Sequence, residues 1–141
     1  MRRKASAIWQ GDLKSGKGKI STESGAFKDT QYSFGTRFEN GVGTNPEELI
    51  AAAHAGCFSM AFAAELGKAG FTPAFIHTTA TVTLDKTEAG WTVTESFLDM
   101  TAKIPGLEQG TFTTIAEGAK AGCPISRLLN TKIILSAKLE S

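Results

Sequence analysis

The order of apolar and polar residues predicts three strands at the start of the chain. In the first, alternate positions carry small or aromatic side chains, at Ala5, Ala7 and Trp9. A turn at 11–12 separates it from a second strand over 17–22. A third strand is predicted over 32–38, because one parity holds Tyr32, Phe34, Thr36 and Phe38. This alternation directs Arg37 to the face opposite the aromatic side chains.

A long apolar segment in the middle of the chain predicts a helix. Its start carries Asn45 as the N-cap, Pro46 at the first helical position and Glu47 among the acids of the first turn. Apolar residues then surround nearly the whole helix, so we expect it to be buried on most sides and to end within 67–70. Its longest uncharged stretch, 49–64, is shorter than the ~18 residues that span a bilayer, and we expect no membrane partner.

The second half of the chain predicts a hairpin, two helices and a last strand. Apolar and polar residues alternate over 76–100 on both sides of a central turn. In the second strand the apolar residues shift from odd to even positions, which indicates a bulge. Apolar residues at helical spacing predict a helix over 112–122, and Pro124 starts a short one. A strand over 133–139 follows. We therefore expect a single α+β domain, 1–141, with a largely antiparallel sheet.

Composition and charge exclude several classes of protein. The 141 residues are 41% hydrophobic and 21% charged, as in ordinary globular chains, which excludes intrinsic disorder. The 15 Lys and Arg residues against 14 Asp and Glu leave a net charge of +1, so we expect no nucleic-acid partner. The basic residues at 2–4 are not followed by the apolar segment of a signal peptide, and we expect a cytoplasmic protein.

The two cysteines are the strongest candidates for chemistry. Cys57 lies inside the apolar helix, where desolvation raises the pKa of a thiol, so reactivity there requires a nearby cation. Cys123 precedes Pro124, and as a helix N-cap it would lie beside unpaired N–H groups that favour a thiolate. From the residues alone either cysteine qualifies as the attacking one, and their spacing does not fix whether they meet. Inert buried thiols are the alternative.

Arg37 and Glu47 are candidates for activating a thiol. The alternative for Arg37 is a surface ion pair, and for Glu47 an acid that the helix dipole favours. Ten helical positions separate Glu47 from Cys57 by roughly 15 Å along the axis. Either an arginine bridges this distance, or an acid from a second subunit approaches the cysteine, and the second case favours a dimer with shared sites.

His54 gives an alternative site because it lies three residues before Cys57 on nearly the same helical face. A Cys/His nucleophile pair or half of a zinc site would use this spacing. Zinc usually takes four ligands, and the other soft candidates, His77 and Cys123, form no short ligand motif with them. We therefore expect no metal site.

Two segments of the chain resemble a known family. Residues 44–60, TNPEELIAAAHAGCFSM, and 120–124, KAGCP, resemble the OsmC (osmotically inducible protein C) family, which is related to the organic hydroperoxide resistance proteins. The resemblance extends over essentially the whole chain. It implies an OsmC-like α+β fold in which mostly antiparallel sheets pack on two central helices. It also implies an interwoven homodimer with two sites at the subunit interface.

The resemblance implies a chemistry as well. In this family the cysteine of the central helix attacks the peroxide, which falls on Cys57, and the second cysteine, here Cys123, resolves the product. Arg37 matches the activating arginine, and Glu47 matches the acid that pairs with it. The implied activity is the reduction of organic hydroperoxides, and more weakly of hydrogen peroxide, in a stress response. The implied reductant is an external dithiol such as a lipoyl group or a lipoylated protein, with no metal or organic cofactor.

Three other functions use the same residues differently. A general thiol-disulfide oxidoreductase would exchange both cysteines with protein disulfides. A redox-sensing or lipid-binding protein would use the pocket without turnover, and a structural stress dimer would leave its thiols inert. An apolar pocket lining favours alkyl hydroperoxides as substrates, and we expect that lining from Phe34, Phe38, Phe58 and Met60.

Overall fold

Six strands and four helices make up the chain, and they belong to two units. The computed structural model describes all residues, 1–141. The units are Met1–Leu49 and Ile50–Ser141. The elements up to the central helix are β1 (Ala5–Gln10), β2 (Lys17–Thr22), β3 (Thr30–Tyr32), α1 (Phe34–Phe38) and α2 (Pro46–Lys68). Those that follow are β4 (Phe75–Thr87), β5 (Gly90–Lys103), α3 (Gln109–Gly122), α4 (Pro124–Leu128) and β6 (Lys132–Glu140). The single domain over 1–141 stays a prediction.

The first unit contains an antiparallel sheet in the order β1, β2, β3. Gly18 of β2 lies opposite Trp9 of β1 and Tyr32 of β3, whose rings approach to 5.5 Å between centroids. A Cβ atom on Gly18 would lie 2.3 Å from the Tyr32 ring, so the two aromatic rings can meet across the middle strand only because this position is glycine.

The predicted strand over 32–38 is wrong after Tyr32. Ser33 caps α1, because its hydroxyl accepts the Thr36 N–H at 3.2 Å while the Thr36 hydroxyl accepts the Ser33 N–H at 2.8 Å. This reciprocal capping satisfies the first helical donors and favours a helix locally. Phe34 and Phe38 fit either structure, since residues four apart are also neighbours on a helix, and their rings lie 4.9 Å apart.

The central helix α2 begins where its capping signals predict. The Asn45 side chain accepts the Glu48 N–H at 2.8 Å. The expected burial on most sides is wrong for the single chain, because the helix buries one stripe, which consists of His54, Phe58, Phe62 and Leu66. The opposite side stays open, and Met60 there is 77% exposed. By length and composition α2 also meets the criterion for a membrane span, which core helices of globular proteins meet too.

The second unit contains the sheet β4, β5, β6 and a hydrophobic core. β4 and β5 pair antiparallel, whereas β6 joins β5 in parallel. The predicted bulge is confirmed, since the register shifts at Thr83 and Leu84, opposite Thr94 of β5. The stripe of α2 packs with buried residues of β5 and α3, which include Leu98, Met100, Ala102, Phe112, Ala116 and Ala119. The α+β class with mostly antiparallel pairing is confirmed.

Cys123 occupies a sharp turn between α3 and α4. Its backbone is extended in ψ (φ −54°, ψ 126°), because the ring of the following Pro124 disfavours helical geometry at the preceding residue. Pro124 then takes the first position of α4, as predicted. The turn fixes the Cys123 side chain within the core, where it is fully buried.

Candidate active site

The two cysteines meet inside the second unit. Both are free thiols, and a hydrogen bond joins their sulfurs, which lie 2.9 Å apart. A disulfide needs about 2.05 Å, so a closure of roughly 0.9 Å would join them. Cys57 is partly exposed, whereas Cys123 is fully buried. A small oxidant therefore reaches Cys57 first, and the residues alone did not give this distinction.

The groups around Cys57 shift the pKa of its thiol in opposite directions. Burial raises the pKa of Cys57 above its ordinary value, and the hydrogen bond with Cys123 adds to that rise. A backbone hydrogen bond from Ile125, in the first turn of α4, lowers the pKa. None of these influences on the pKa of Cys57 is a positive side chain.

The start of α4 therefore serves a different cysteine than the sequence suggests. Cys123 is the N-cap, as predicted, but its side chain makes no capping hydrogen bond. The Ile125 backbone group bonds to Cys57 instead. The residue spacing could not reveal this, because it depends on how the turn packs against α2.

Arg37 and Glu47 form an ion pair in the first unit. The guanidinium donates from Nε to both carboxylate oxygens at 3.2 Å and from Nη2 to Oε1 at 2.7 Å. Glu47 is placed by the first turn of α2, and the Arg37 guanidinium also lies 5.4 Å from the centre of the Phe38 ring. The pairing that the resemblance implies is thus present. The Arg37 side chain remains 38% exposed and keeps donors for a further ligand.

An aromatic cavity of about 240 Å³ lies beside Arg37 in the first unit. Its wall consists of Trp9, Leu13, Tyr32, Ser33, Phe34, Arg37, Phe38 and Pro46. Phe34 and Phe38 line it as expected. Phe58 does not, because it is fully buried in the core of the other unit, and Met60 lies on the open side of α2. The alternation in the sequence did not indicate Trp9 or Leu13 as lining residues.

His54 is held away from a role as a partner of Cys57. Its ring is fully buried, with Nδ1 2.7 Å from the Ser96 hydroxyl and Nε2 2.7 Å from the Ser126 hydroxyl. Both ring nitrogens are therefore occupied, one as donor and one as acceptor in the neutral imidazole. Burial lowers the pKa of His54 below its ordinary value of 6.5. The Cys/His pair considered from the spacing is not formed.

We expect His54 to make the fold sensitive to acid. Because its folded pKa is lowered, the unfolded chain binds the extra proton first. The stabilisation is complete above about pH 6.5 and is lost as the pH falls below that value towards the folded pKa. Urea unfolding between about pH 5 and pH 8 should show a weaker pH dependence in His54→Gln than in the wild type. The exposed His77 gives the control His77→Gln, and equal slopes in the wild type and His54→Gln would contradict the assignment.

Comparisons with known proteins give concordant results for the chain. The family model described as OsmC-like protein matches residues 38–138. A curated protein of Escherichia coli K12 named Peroxiredoxin OsmC is 52% identical over 139 residues, which are 99% of this chain and 97% of that protein.

Solved structures share the fold. A Legionella pneumophila protein, described as an organic hydroperoxide resistance protein OsmC, is 26% identical with a TM-score of 0.71, and 96% of each chain is covered. An OsmC-like protein of unknown function from Vibrio cholerae is 16% identical with a TM-score of 0.78, and 97% of this chain and 99% of that one are covered. The α+β arrangement that the resemblance implies is confirmed.

Proposed function

Because this chain belongs to the OsmC-like protein family, we propose that it is a cysteine-based peroxidase that reduces organic hydroperoxides, and hydrogen peroxide more weakly. The observation that carries the proposal is the pair of free thiols 2.9 Å apart, of which one is partly exposed and the other is buried. The name peroxiredoxin on a relative of 52% identity supports the same chemistry.

Cys57 is the attacking residue in this proposal. Its thiolate attacks the terminal oxygen of the hydroperoxide, and the O–O bond breaks. The sulfur is oxidised to a sulfenic acid, while the alkoxide takes up a proton and leaves as the alcohol. The partial exposure of Cys57 supports this assignment, since a substrate has to reach the sulfur.

Cys123 is the resolving residue. Its sulfur attacks the sulfenic sulfur, the S–O bond breaks, and hydroxide leaves with the thiol proton as water. The product is an intramolecular disulfide between Cys57 and Cys123, which an external dithiol reopens by exchange. The short contact between the sulfurs supports this step, because little motion is needed before the bond forms.

Arg37 supplies the positive charge that the Cys57 thiolate requires. Glu47 orients the guanidinium by contacts to two of its nitrogens. We propose that the site is shared by two subunits of a homodimer, interwoven as in the family. The open side of α2 supports this, because small and apolar exposed residues follow one another there at helical spacing: Ala53, Gly56, Met60 and Ala64. Such a face is suited to close contact with another helix.

The cavity beside Arg37 supports organic hydroperoxides as the substrate class. Its volume of about 240 Å³ is slightly below the ~300–1,000 Å³ usual for ligand clefts, which suits one aryl or short alkyl group. Hydrogen peroxide has no apolar group to bury there. We further propose a cytoplasmic protein, one OsmC-like domain over 1–141, with a lipoyl-type dithiol as reductant and no resident cofactor.

A lipoamide-coupled peroxidase assay tests this function. We expect turnover with cumene and tert-butyl hydroperoxides, with kcat/KM at least about tenfold above that for hydrogen peroxide, because only the organic substrates bury apolar surface. Reduction of protein disulfides without hydroperoxide turnover would favour the thiol-disulfide oxidoreductase. Stoichiometric oxidation with no turnover by any dithiol would favour a redox sensor. Thiols that react with neither hydroperoxide nor protein disulfides would favour the structural dimer with inert thiols.

A further inference from the structure

The buried histidine of α2 contacts the same short segment that carries the resolving cysteine. His54 and Ser126 bond at 2.7 Å, and Cys57 and Cys123 lie 2.9 Å apart. On α2 the histidine lies three residues before its cysteine, and Ser126 lies three residues after Cys123. The backbone of Ile125 also hydrogen-bonds to the Cys57 sulfur. The segment Cys123–Ser126 is therefore attached to α2 at three points, two of which end on the reacting sulfur of Cys57.

These attachments behave differently during the proposed reaction, because the bonds of Cys123 and Ile125 end on the Cys57 sulfur and the bond of Ser126 does not. The contact between the sulfurs changes when Cys57 becomes a sulfenic acid, because an oxygen atom is added to the Cys57 sulfur. The bond between His54 and Ser126 involves no reacting atom and persists through that step. Ser96 of β5 holds the other ring nitrogen at 2.7 Å and thereby fixes the orientation of the ring. All three side chains are buried, so water competes little for these bonds.

We propose that His54 is a positioning residue for resolution, which holds the start of α4 through Ser126 so that the Cys123 sulfur stays within reach of oxidised Cys57. This proposal rests on the proposed function for its biological meaning. In physical terms, the bond between His54 and Ser126 raises the effective concentration of the Cys123 sulfur beside the Cys57 sulfur. A misplacement of about 1 Å is enough to slow a reaction substantially when the reacting atoms are held in place.

Two matched variants separate positioning from general stability. Ser126→Ala removes the bond from His54 to α4, whereas Ser96→Ala removes the bond to β5 and leaves α4 attached. Each deletes one hydroxyl and leaves one ring nitrogen without its partner. We expect the disulfide of Ser126→Ala to close about tenfold more slowly after one equivalent of cumene hydroperoxide, and that of Ser96→Ala to close within about twofold of the wild type.

The readouts distinguish the two steps of the reaction. The rate of first oxidation of Cys57 should change much less than the rate of closure in Ser126→Ala, since neither serine touches that sulfur and only the backbone bond of Ile125 links α4 to it. Sulfenic acid, trapped as its dimedone adduct, should accumulate only in Ser126→Ala. A purely structural role would lower thermal stability and slow closure equally in both variants. Equal closure rates in Ser126→Ala and Ser96→Ala would therefore overturn the proposal, whether both are slow or both are fast.

Two substitutions of the histidine give an independent test if Ser126→Ala does not fold. The amide nitrogen of glutamine lies near the position of Nε2, and that of asparagine near Nδ1. We expect His54→Gln to retain the bond to Ser126 and to close faster than His54→Asn. Equal rates, or faster closure in His54→Asn, would overturn the proposal.

A titration without peroxide keeps this inference separate from the proposed function. The equilibrium of the Cys57–Cys123 pair with oxidised dithiothreitol measures the effective concentration of the two sulfurs. We expect Ser126→Ala to shift it about tenfold towards the dithiol and Ser96→Ala to shift it much less. If the wild type shows no hydroperoxide turnover, the proposed function fails while this comparison still decides the role of His54. An equal shift in both variants would contradict the role.

Discussion

Cys57→Ser is expected to lower hydroperoxide reduction by at least about a thousandfold. A serine hydroxyl stays protonated at neutral pH and cannot be oxidised at oxygen, so neither the attack nor the sulfenic intermediate remains. The measurement is initial-rate turnover of cumene hydroperoxide with a dithiol reductant. The substitution is nearly isosteric, so circular dichroism and thermal unfolding should change little.

Cys123→Ser is the matched control for this result. The variant should still consume about one equivalent of hydroperoxide per chain, because Cys57 remains. It should then accumulate sulfenic acid and over-oxidise instead of cycling. Substantial turnover in Cys57→Ser, with loss of activity confined to Cys123→Ser, would reverse the assignment of the two cysteines.

Arg37→Ala is expected to lower kcat/KM by about 10²–10³-fold with the fold retained. Burial raises the pKa of Cys57, and the influences found around its sulfur include no positive side chain. Without the guanidinium, nothing offsets the effect of burial on the Cys57 thiolate. Loss of one group that stabilises charge at a reacting centre typically lowers the rate by about 10²–10³-fold. The measurement is the rate of Cys57 alkylation by iodoacetamide across pH, together with peroxidase turnover.

The exposed Arg127 of α4 provides a control for Arg37. It lies four residues from Cys123 in the sequence and carries the same charge, so Arg127→Ala should keep activity within about twofold if Arg37 is the activating group. Glu47→Gln should fall between Arg37→Ala and the wild type, because the guanidinium remains but loses its ionic partner. Unchanged thiol reactivity in Arg37→Ala at neutral pH would contradict the role of Arg37.

Mixing two inactive variants tests whether the site is shared by subunits. If Arg37 and Cys57 act across an interface, co-expressed Cys57→Ser and Arg37→Ala chains form mixed dimers with one intact site. Activity should then return to about a quarter of the wild-type value, the statistical share of intact sites. No recovery in dimers shown to be mixed would place both residues of each site in one chain.

The sequence predicted most elements because their signals are local. Asn45 and Pro46 start α2, and Pro124 ends one helix and begins the next, through contacts within a few residues. The segment 32–38 was assigned incorrectly because Phe34 and Phe38 fit both a strand and a helix. The capping by Ser33 and Thr36 decides between them, and a serine three residues before a threonine was the available signal.

The candidate site was only partly predictable. Arg37 and Glu47 lie ten residues apart. The residues indicate only that Glu47 is able to hold an arginine in place, and the family resemblance identifies that arginine as Arg37. The bonds of His54 reach partners 42 and 72 residues away, and no periodicity reports on such contacts. The expected burial of α2 on most sides is wrong for the single chain. An apolar helix face indicates that another surface covers it, but the sequence does not show whether that surface belongs to the same chain or to a second one.

The most direct test of the central claim is peptide mapping of the intact protein after one equivalent of cumene hydroperoxide. The account predicts that each chain loses two hydrogen atoms, that Cys57 and Cys123 of the same chain become linked, and that cumyl alcohol forms in equal amount. A chain in which Cys123 remains a free thiol while Cys57 is unmodified or carries only sulfinic acid would contradict it.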